Sequence, residues 1–465
     1  MIRIWGGGQY ESDKFMELAS RKGIMVFYDF MFSDSIYPST EAFLLNVEEE
    51  IKQQIRRARN YPCLAVWSGN NEILQGINDW GWGSGKYRED YRKLFEVLIP
   101  KIVEYESPYI TYIPSSPVYG VGNYGIERGG DAHFWSVWAG GADFETYEKN
   151  VAKFNSEFGT QALPLWETIT QAIENGTSYE SKVLELHERH SSRFGVLRKY
   201  MNRYMKKPLN FEMETYQSGL LQAFAIAIAI KAQRVAKPKS WGTLYWQFND
   251  AWPGISWSSI DYFGRWKPLQ FMARRLFPDV AIFHVSDKIH VVNDKLYDVN
   301  ALVIIKFFSL KGEMLKKEEK SVNVKGNEVL EIYKVDGTEC GSADRKECMI
   351  YMEVVAGKDR HMTSTHFNAY FKDLNLPEAQ ISVEYHPEFN EITIESTGPV
   401  VKNLFISHSD TYVKFSDNYF DLVPGHPVKV VLLNKDGLAR LKDGLRFRSY
   451  REVYESGSSV RIQVK

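Results

Sequence analysis

The feature that most restricts how this chain can fold is an alternation, over residues 1 to 278, of short apolar runs with longer amphipathic stretches. The runs are "IRIW" from Ile2, "IMVFYDF" from Ile24, "CLAVW" from Cys63, "YITYIP" from Tyr109, "HFWSVW" from His133, "KFNSEF" from Lys153 and "TLYWQF" from Thr243. Between them, segments such as "EAFLLNVEEEIKQQIRRARN" and "REDYRKLFEVLIPKIVEYE" space apolar residues by 3 and 4, which is helical periodicity. Strands alternating with helices pair in parallel, and runs apolar on both faces must be covered on both. A closed (β/α)8 TIM barrel needs eight such strands. Only seven runs are found, so the expected fold is a barrel lacking its first strand. An open doubly wound sheet is the alternative, but it needs a glycine-rich phosphate turn. "WGGG" at 5 to 8 does not fit G-x-G-x-x-G. "GWGSGKY" at 81 to 87 has Tyr87 where a phosphate loop needs Ser or Thr. Both read as turns.

Beyond "RWKPLQFMARRLFPD" the texture changes to closely spaced strands such as "KIHVVNDK", "NALVIIKFFS", "AQISVEYH" and "EITIEST", with turn residues between them. That is the pattern of β-sandwich modules. A break at "LNLP" divides the tail, giving three expected domains: a barrel at 1–278, a sandwich at 279–374 and a second sandwich at 375–465. A chain of 465 residues exceeds what one core usually supports.

Composition narrows the function classes. With 44% apolar and 25% charged residues and a net charge of -2, the chain reads as a globular protein without a nucleic-acid partner. Aromatic residues reach 14%, and flat rings with polar edges suit sugars or peptides. Three cysteines argue against a disulfide framework and for a reducing, cytoplasmic setting, although Cys340 and Cys348 are close enough in sequence to pair. The start, "MIRIWGGG", has no signal-peptide pattern, and "AFAIAIAI" from Ala223 is too short for a membrane span, so it reads as a buried helix.

In a parallel barrel the chemistry gathers where strands end. Two carboxyl groups sit there: Glu72, closing "CLAVWSGNNE", and Glu157, within "KFNSEFG". They are 85 positions apart, and at roughly 31 residues per unit this puts them about three units apart on one rim. Two facing carboxyls are what retaining glycoside hydrolysis requires, one as nucleophile and one as acid and then base. The acid must stay protonated, which burial against an indole such as Trp67 or Trp80 and a negative neighbour would favour. The bland reading, that each Glu caps a helix or forms a salt bridge, stays open on spacing alone.

The blocks "RIWGGGQYE", "GIMVFYDFMF", "AVWSGNNE", "GDAHFWSVWAG", "FNSEFGTQALP" and "LYWQFNDAWPGISWSSID" occur in this order over residues 3 to 261. Together they resemble β-mannosidases of glycoside hydrolase family 2. "SDNYFDLVPGHPVKV" from Ser416 resembles the last immunoglobulin-like domain of these enzymes. The resemblance implies an exo-β-mannosidase that releases terminal β-D-mannose from oligosaccharides or glycans by double displacement, with no metal or organic cofactor. It assigns Glu72 as acid/base and Glu157 as nucleophile. It gives Asn71 to the sugar 2-hydroxyl, Arg3 to the nucleophile's carboxylate, and Trp5, Trp80, His133, Trp135 and Trp246 to the pocket, with Trp246 as sugar platform. Rival readings are another activity of the same family (β-galactosidase, β-glucuronidase, exo-β-glucosaminidase) and an inactive or complementing fragment. Family members usually carry a jelly-roll domain, an immunoglobulin-like domain and a first barrel strand ahead of the block that begins this chain. Their absence implies a gene split, a separately encoded amino-terminal partner, or closure of the gap by the chain itself.

Other motifs read as structural. Trp138, Trp241, Trp252 and Trp257 fit packing as well as sugar contact, "HERH" at 187 to 190 reads as a solvated helix face, and "NGT" at Asn175 is a glycosylation sequon only in a secreted chain.

Overall fold

A computed structural model describes residues 1–83, 85–118, 129–174, 176–192, 194–341, 344–357, 361–434 and 437–465; Asn175 of the sequon lies outside them. Contacts divide the chain into two compact units. The first comprises 1–136, 149–158 and 238–245, and the second 137–148, 159–237 and 246–465.

All seven apolar runs contain a strand, and all seven strands lie in the first unit. β1 (Ile2–Ile4), β2 (Val26–Asp29), β3 (Leu64–Ser68) and β4 (Thr111–Ile113) form one parallel sheet in that order. β5 (Ala132–His133), β6 (Phe154–Glu157) and β7 (Gly242–Thr243) form another. Among the described residues no ladder joins β4 to β5 or β7 to β1. Parallel bridges Ser33–Asn71 and Asn71–Ser116 carry the first sheet past the end of β3. The strands are shorter than the runs that announce them. In "HFWSVW" only His133 is in a strand, and Trp138 has φ 76°, which no strand residue adopts.

Helices fall where the periodicity places them. In Asp13–Arg21, Ser12 caps the Phe15 N–H and the inner face buries Met16 and Ala19. Glu41–Ala58 opens on an acid, ends on Arg56 and Arg57, and buries Val47, Ile51, Ile55 and Ala58 at near-helical spacing. Their apolar faces join Val26, Tyr28, Phe30 and Trp67 in one core.

In the second unit the "AFAIAIAI" run lies within a helix, Phe211–Val235, buried around most of its circumference and capped by Asn210. Among the described residues no helix is long and apolar enough to cross a membrane. Two sandwiches follow. β8 (Val280–Val285), β9 (Lys288–Asn293), β10 (Val299–Ser309), β11 (Met314–Val324), β12 (Val329–Lys334), β13 (Cys348–Val355) and β14 (His361–Phe367) make sheets β11-β10-β13-β14 and β12-β9-β8. In β10 every second residue from Val299 to Phe307 points into the core, the period of a half-buried strand. β15 (Gln380–His386), β16 (Glu391–Ser396), β17 (Val401–His408), β18 (Phe420–Leu422), β19 (Val428–Val431), β20 (Leu445–Arg448) and β21 (Arg461–Val464) make sheets β19-β16-β15-β21 and β18-β17-β20 around a separate core.

Cys340 and Cys348 form the local pair that their closeness in sequence allows, while Cys63 is buried and free. One expectation changes. "HERH" does not lie on a helix face, because the helix Lys182–Leu186 ends first. His187 instead stacks on Trp252 at 4.2 Å and bonds the Pro253 carbonyl at 2.6 Å, while His190 bonds Ser192 at 2.9 Å. Trp138 is buried against Tyr200 and is packing.

Candidate active site

Strand ends in the first unit assemble one polar cluster. Arg3 lies in the middle of β1, Asp29 ends β2, Asn71 and Glu72 follow β3, His133 ends β5 and Glu157 ends β6. The "AVWSGNNE" stretch works as a turn. Asn70 accepts the Ile73 N–H at 3.1 Å and the Ser115 hydroxyl at 2.8 Å, and donates to the Pro114 carbonyl at 2.8 Å. It thereby starts the helix Ile73–Asp79. Glu72 sits at φ 57°, left-handed, with its N–H on the Ser116 carbonyl at 2.9 Å. A side chain there costs roughly 1 kcal/mol or more. The turn accepts that cost and faces the Glu72 carboxyl toward His133.

Arg3 is the hub. Its Nη1 donates to Glu157 Oε2 at 2.8 Å, and its Nη2 donates to Asp29 Oδ2 and Asn71 Oδ1, each at 2.8 Å. The Gly6 N–H also binds Asp29, at 3.1 Å. Asn71 passes its amide protons to Asp34 Oδ2 at 3.0 Å and to the Ser33 hydroxyl at 3.3 Å. His133 lies between the two acids: Nδ1 is 2.6 Å from Glu72 Oε1 and 3.5 Å from Glu157 Oε2, while Nε2 is 3.0 Å from Ser116 Oγ. Ser116 and Ser156 hydroxyls both bond Asp131 Oδ2, at 2.5 and 2.6 Å.

One atom each of Glu72, His133 and Glu157 lie within 4.8 Å of one another. Their chemistry would suit a divalent cation, but Arg3 places a fixed positive charge 2.8 Å from Glu157 and 3.4 Å from His133, which opposes one.

Burial sets the protonation states. Desolvation, and then the nearby Asp34 charge, push Glu72 up to about 8. Glu157 is pushed up to about 7 by desolvation, with His133 and Arg3 opposing and Glu72 adding to the rise. Burial lowers His133, so its imidazole is neutral near pH 7. Desolvation of Arg3 is outweighed by Asp29 and Glu157, which hold it charged. Because the Glu72 charge is one cause of the Glu157 shift, a proton on Glu72 lets Glu157 ionise against Arg3. The two carboxyls are thus coupled, and burial favours a proton held by the pair.

Of the residues expected from sequence, Arg3, Asn71, Glu72, His133 and Glu157 are brought together here. Trp5 and Trp135 are half-buried. Trp80 is 43% exposed and packs edge-on against Trp82. Trp246 is half-buried in the second unit. Trp67 does not supply the apolar wall proposed for it: it is buried between Tyr28 and Phe30, with its indole N–H on Ser107 at 3.2 Å. Residues the sequence reading missed are Asp29, Asp34, Ser116, Asp131 and Ser156. Asp29 ends an apolar run just as Glu72 and Glu157 do, so the same rule could have found it.

The chain is similar to known proteins in sequence and in fold. The mannosidase Ig/CBM-like domain model matches residues 287–373, and the Ig-fold domain model Ig_mannosidase matches 374–453. β-Mannosidase A of Aspergillus fumigatus is 27% identical over 503 aligned positions, covering 94% of this chain and 54% of the relative. β-Mannosidase B of Aspergillus niger is 28% identical, covering 95% and 57%. The crystal structure of the β-D-mannosidase from Dictyoglomus thermophilum superposes with a TM-score of 0.86 at 28% identity, over 100% of this chain and 56% of that one. The chain is thus a homologue of the β-mannosidases along nearly its whole length, with their barrel and immunoglobulin-like domains. It spans little more than half the length of these relatives.

Proposed function

We propose that this homologue of the β-mannosidases is a retaining, exo-acting β-mannosidase whose nucleophile is Glu157 and whose acid/base is Glu72. The observation that carries this reading is the carboxyl pair, one following β3 and one ending β6 in the same unit, bridged by His133 with reactive atoms inside 4.8 Å. Retaining hydrolysis works with carboxyls about 5 Å apart, whereas inversion needs roughly 6.5 Å or more to admit a water.

In the first step the Glu157 carboxylate, held by Arg3, attacks the anomeric carbon while the Glu72 O–H gives its proton to the departing glycosidic oxygen. The covalent glycosyl ester is then opened by water, whose proton returns to Glu72, and β-mannose leaves. Asn71, whose amide is held by Arg3 and Asp34, is the residue assigned to the sugar 2-hydroxyl. Trp5, Trp80 and Trp135, in the same unit as the two acids, are assigned to the walls of the sugar pocket. The domain limits that accompany this reading are 1–278, 279–374 and 375–465.

The test is hydrolysis of nitrophenyl β-mannoside beside the β-glucoside, β-galactoside and β-glucuronide, with the first-formed anomer followed by proton NMR. Preferential release of β-mannose as the initial product is expected. Preference for another glycoside, α-mannose as first product, or no turnover of any substrate refutes the reading.

A further inference from the structure

The arrangement around His133 determines where its proton lies. The Asp131 carboxyl accepts three donors: the Val118 N–H at 2.9 Å on Oδ1, and the Ser116 and Ser156 hydroxyls on Oδ2. The Ser116 proton is therefore committed to Asp131, and its oxygen is free only to accept. Its neighbour at 3.0 Å is His133 Nε2, nearer than Arg3 Nη1 at 3.4 Å, and that pairing puts the imidazole proton on Nε2. In a neutral imidazole, Nδ1 is then an acceptor. The atom 2.6 Å from it is Glu72 Oε1, and that short contact requires a proton on the carboxyl.

We propose that Ser116 and Asp131 are positioning residues that lock His133 in its Nε2–H form, so that Nδ1 stores the Glu72 proton between turnovers. This rests on the role given to Glu72 above. When a glycosidic oxygen arrives, the Glu72 hydroxyl turns from Nδ1 to that oxygen. After the second step the proton taken from water returns to the same place. The charged and titratable groups facing this line are Arg3 from β1, Asp29 from β2, Asp34 beyond it, Asp131 beside β5 and Glu157 from β6. Arg3 Nη1 also reaches Nε2, at 3.4 Å, and can only donate to it, so it competes from a longer distance with the Ser116 oxygen at 3.0 Å, and the lock requires the nearer partner to prevail.

Asp131→Asn tests the lock by reversing it. The Val118 N–H is a fixed donor and claims the new amide oxygen, so the amide nitrogen faces the serines and donates to Ser116. The Ser116 hydroxyl then turns to donate to Nε2, the imidazole proton moves to Nδ1, and Nδ1–H favours ionised Glu72. The expected result in the full chain is a basic limb of the kcat/KM profile lower by about one pH unit or more, because one bond to the carboxyl changes from accepting to donating. KM should be little changed. Nitrogen NMR of His133 should show the proton moving from Nε2 to Nδ1, a signal that ordinary loss of stability would not give. Ser116→Ala, which removes only the acceptor, should shift the limb the same way by less. An unmoved limb in both folded variants, or a His133 tautomer that is Nδ1–H in the parent, overturns the proposal. A parent that hydrolyses no β-mannoside refutes the function instead, and the tautomer measurement still decides the lock.

Discussion

Replacing Glu72 by Gln removes one titrating proton while keeping the side chain's size and its ability to hydrogen-bond His133. The consequence for stability follows from the shift itself. Glu72 rises from an ordinary 4.5 to about 8 because the folded protein buries it beside Asp34. Folded protein therefore holds a proton that unfolded protein has released, so stability is full below about pH 4.5 and falls as pH rises through about 8. At 1.36 kcal/mol for each unit, the whole fall is about 5 kcal/mol. The side chain is 11% exposed, so solvent screening removes little of it. Gln does not ionise, so the Glu72→Gln protein escapes this loss. Urea unfolding from about pH 5 to about pH 9 should show the variant's advantage over the parent growing with pH, toward a few kcal/mol at the alkaline end. Two curves that stay parallel would mean that Glu72 is not held protonated, and the assignment of the acid would fall with it.

Asp34→Asn takes away the neighbouring charge that helps raise Glu72, so the acid ionises at lower pH and the basic limb of kcat/KM against pH moves acidward. Glu72→Ala should abolish turnover of poor leaving groups while sparing dinitrophenyl β-mannoside by comparison, because the latter departs without a proton; equal losses on both would argue against general acid catalysis. Arg3→Met strands Asp29 and Glu157 without their cation, and since Arg3 is 6% exposed it should cost about 3–5 kcal/mol in unfolding free energy, read by denaturant titration. Reducing the Cys340–Cys348 disulfide opens a loop of sequence separation 8, worth about 2–3 kcal/mol, and should lower the Tm of the parent but not that of Cys340→Ser/Cys348→Ser.

β2 is legible because it is buried along its whole length, which leaves an uninterrupted apolar run, whereas β1, β4 and β7 are only part-buried and are read from the amphipathic stretches between them. Strand ends are less legible: "HFWSVW" looks continuous, yet its strand stops at His133. The meeting of Glu72 with Glu157 follows from a strand-end rule and a residue count. The phase of Trp67 does not, since a strand's alternation says that neighbours face opposite ways but not which way is inward. His133 is singled out by resemblance as a pocket wall, but its place between two acids appears only in three dimensions. Ser116 and Asp131 carry no signal of their own: one follows β4 and the other precedes β5. Asp34 enters because the Ser33–Asn71–Ser116 bridges align three distant segments, a pairing that no local pattern encodes.

The most direct test of the central claim is covalent trapping. A mannoside carrying fluorine at carbon 2 and a good leaving group slows the second step more than the first, so the nucleophile stays labelled. Digestion and mass spectrometry should place the fluoromannosyl group on the peptide containing Glu157, and labelling should disappear in Glu157→Gln. A label on any other residue, or no label while the reagent's leaving group is released in a stoichiometric burst, would contradict the account.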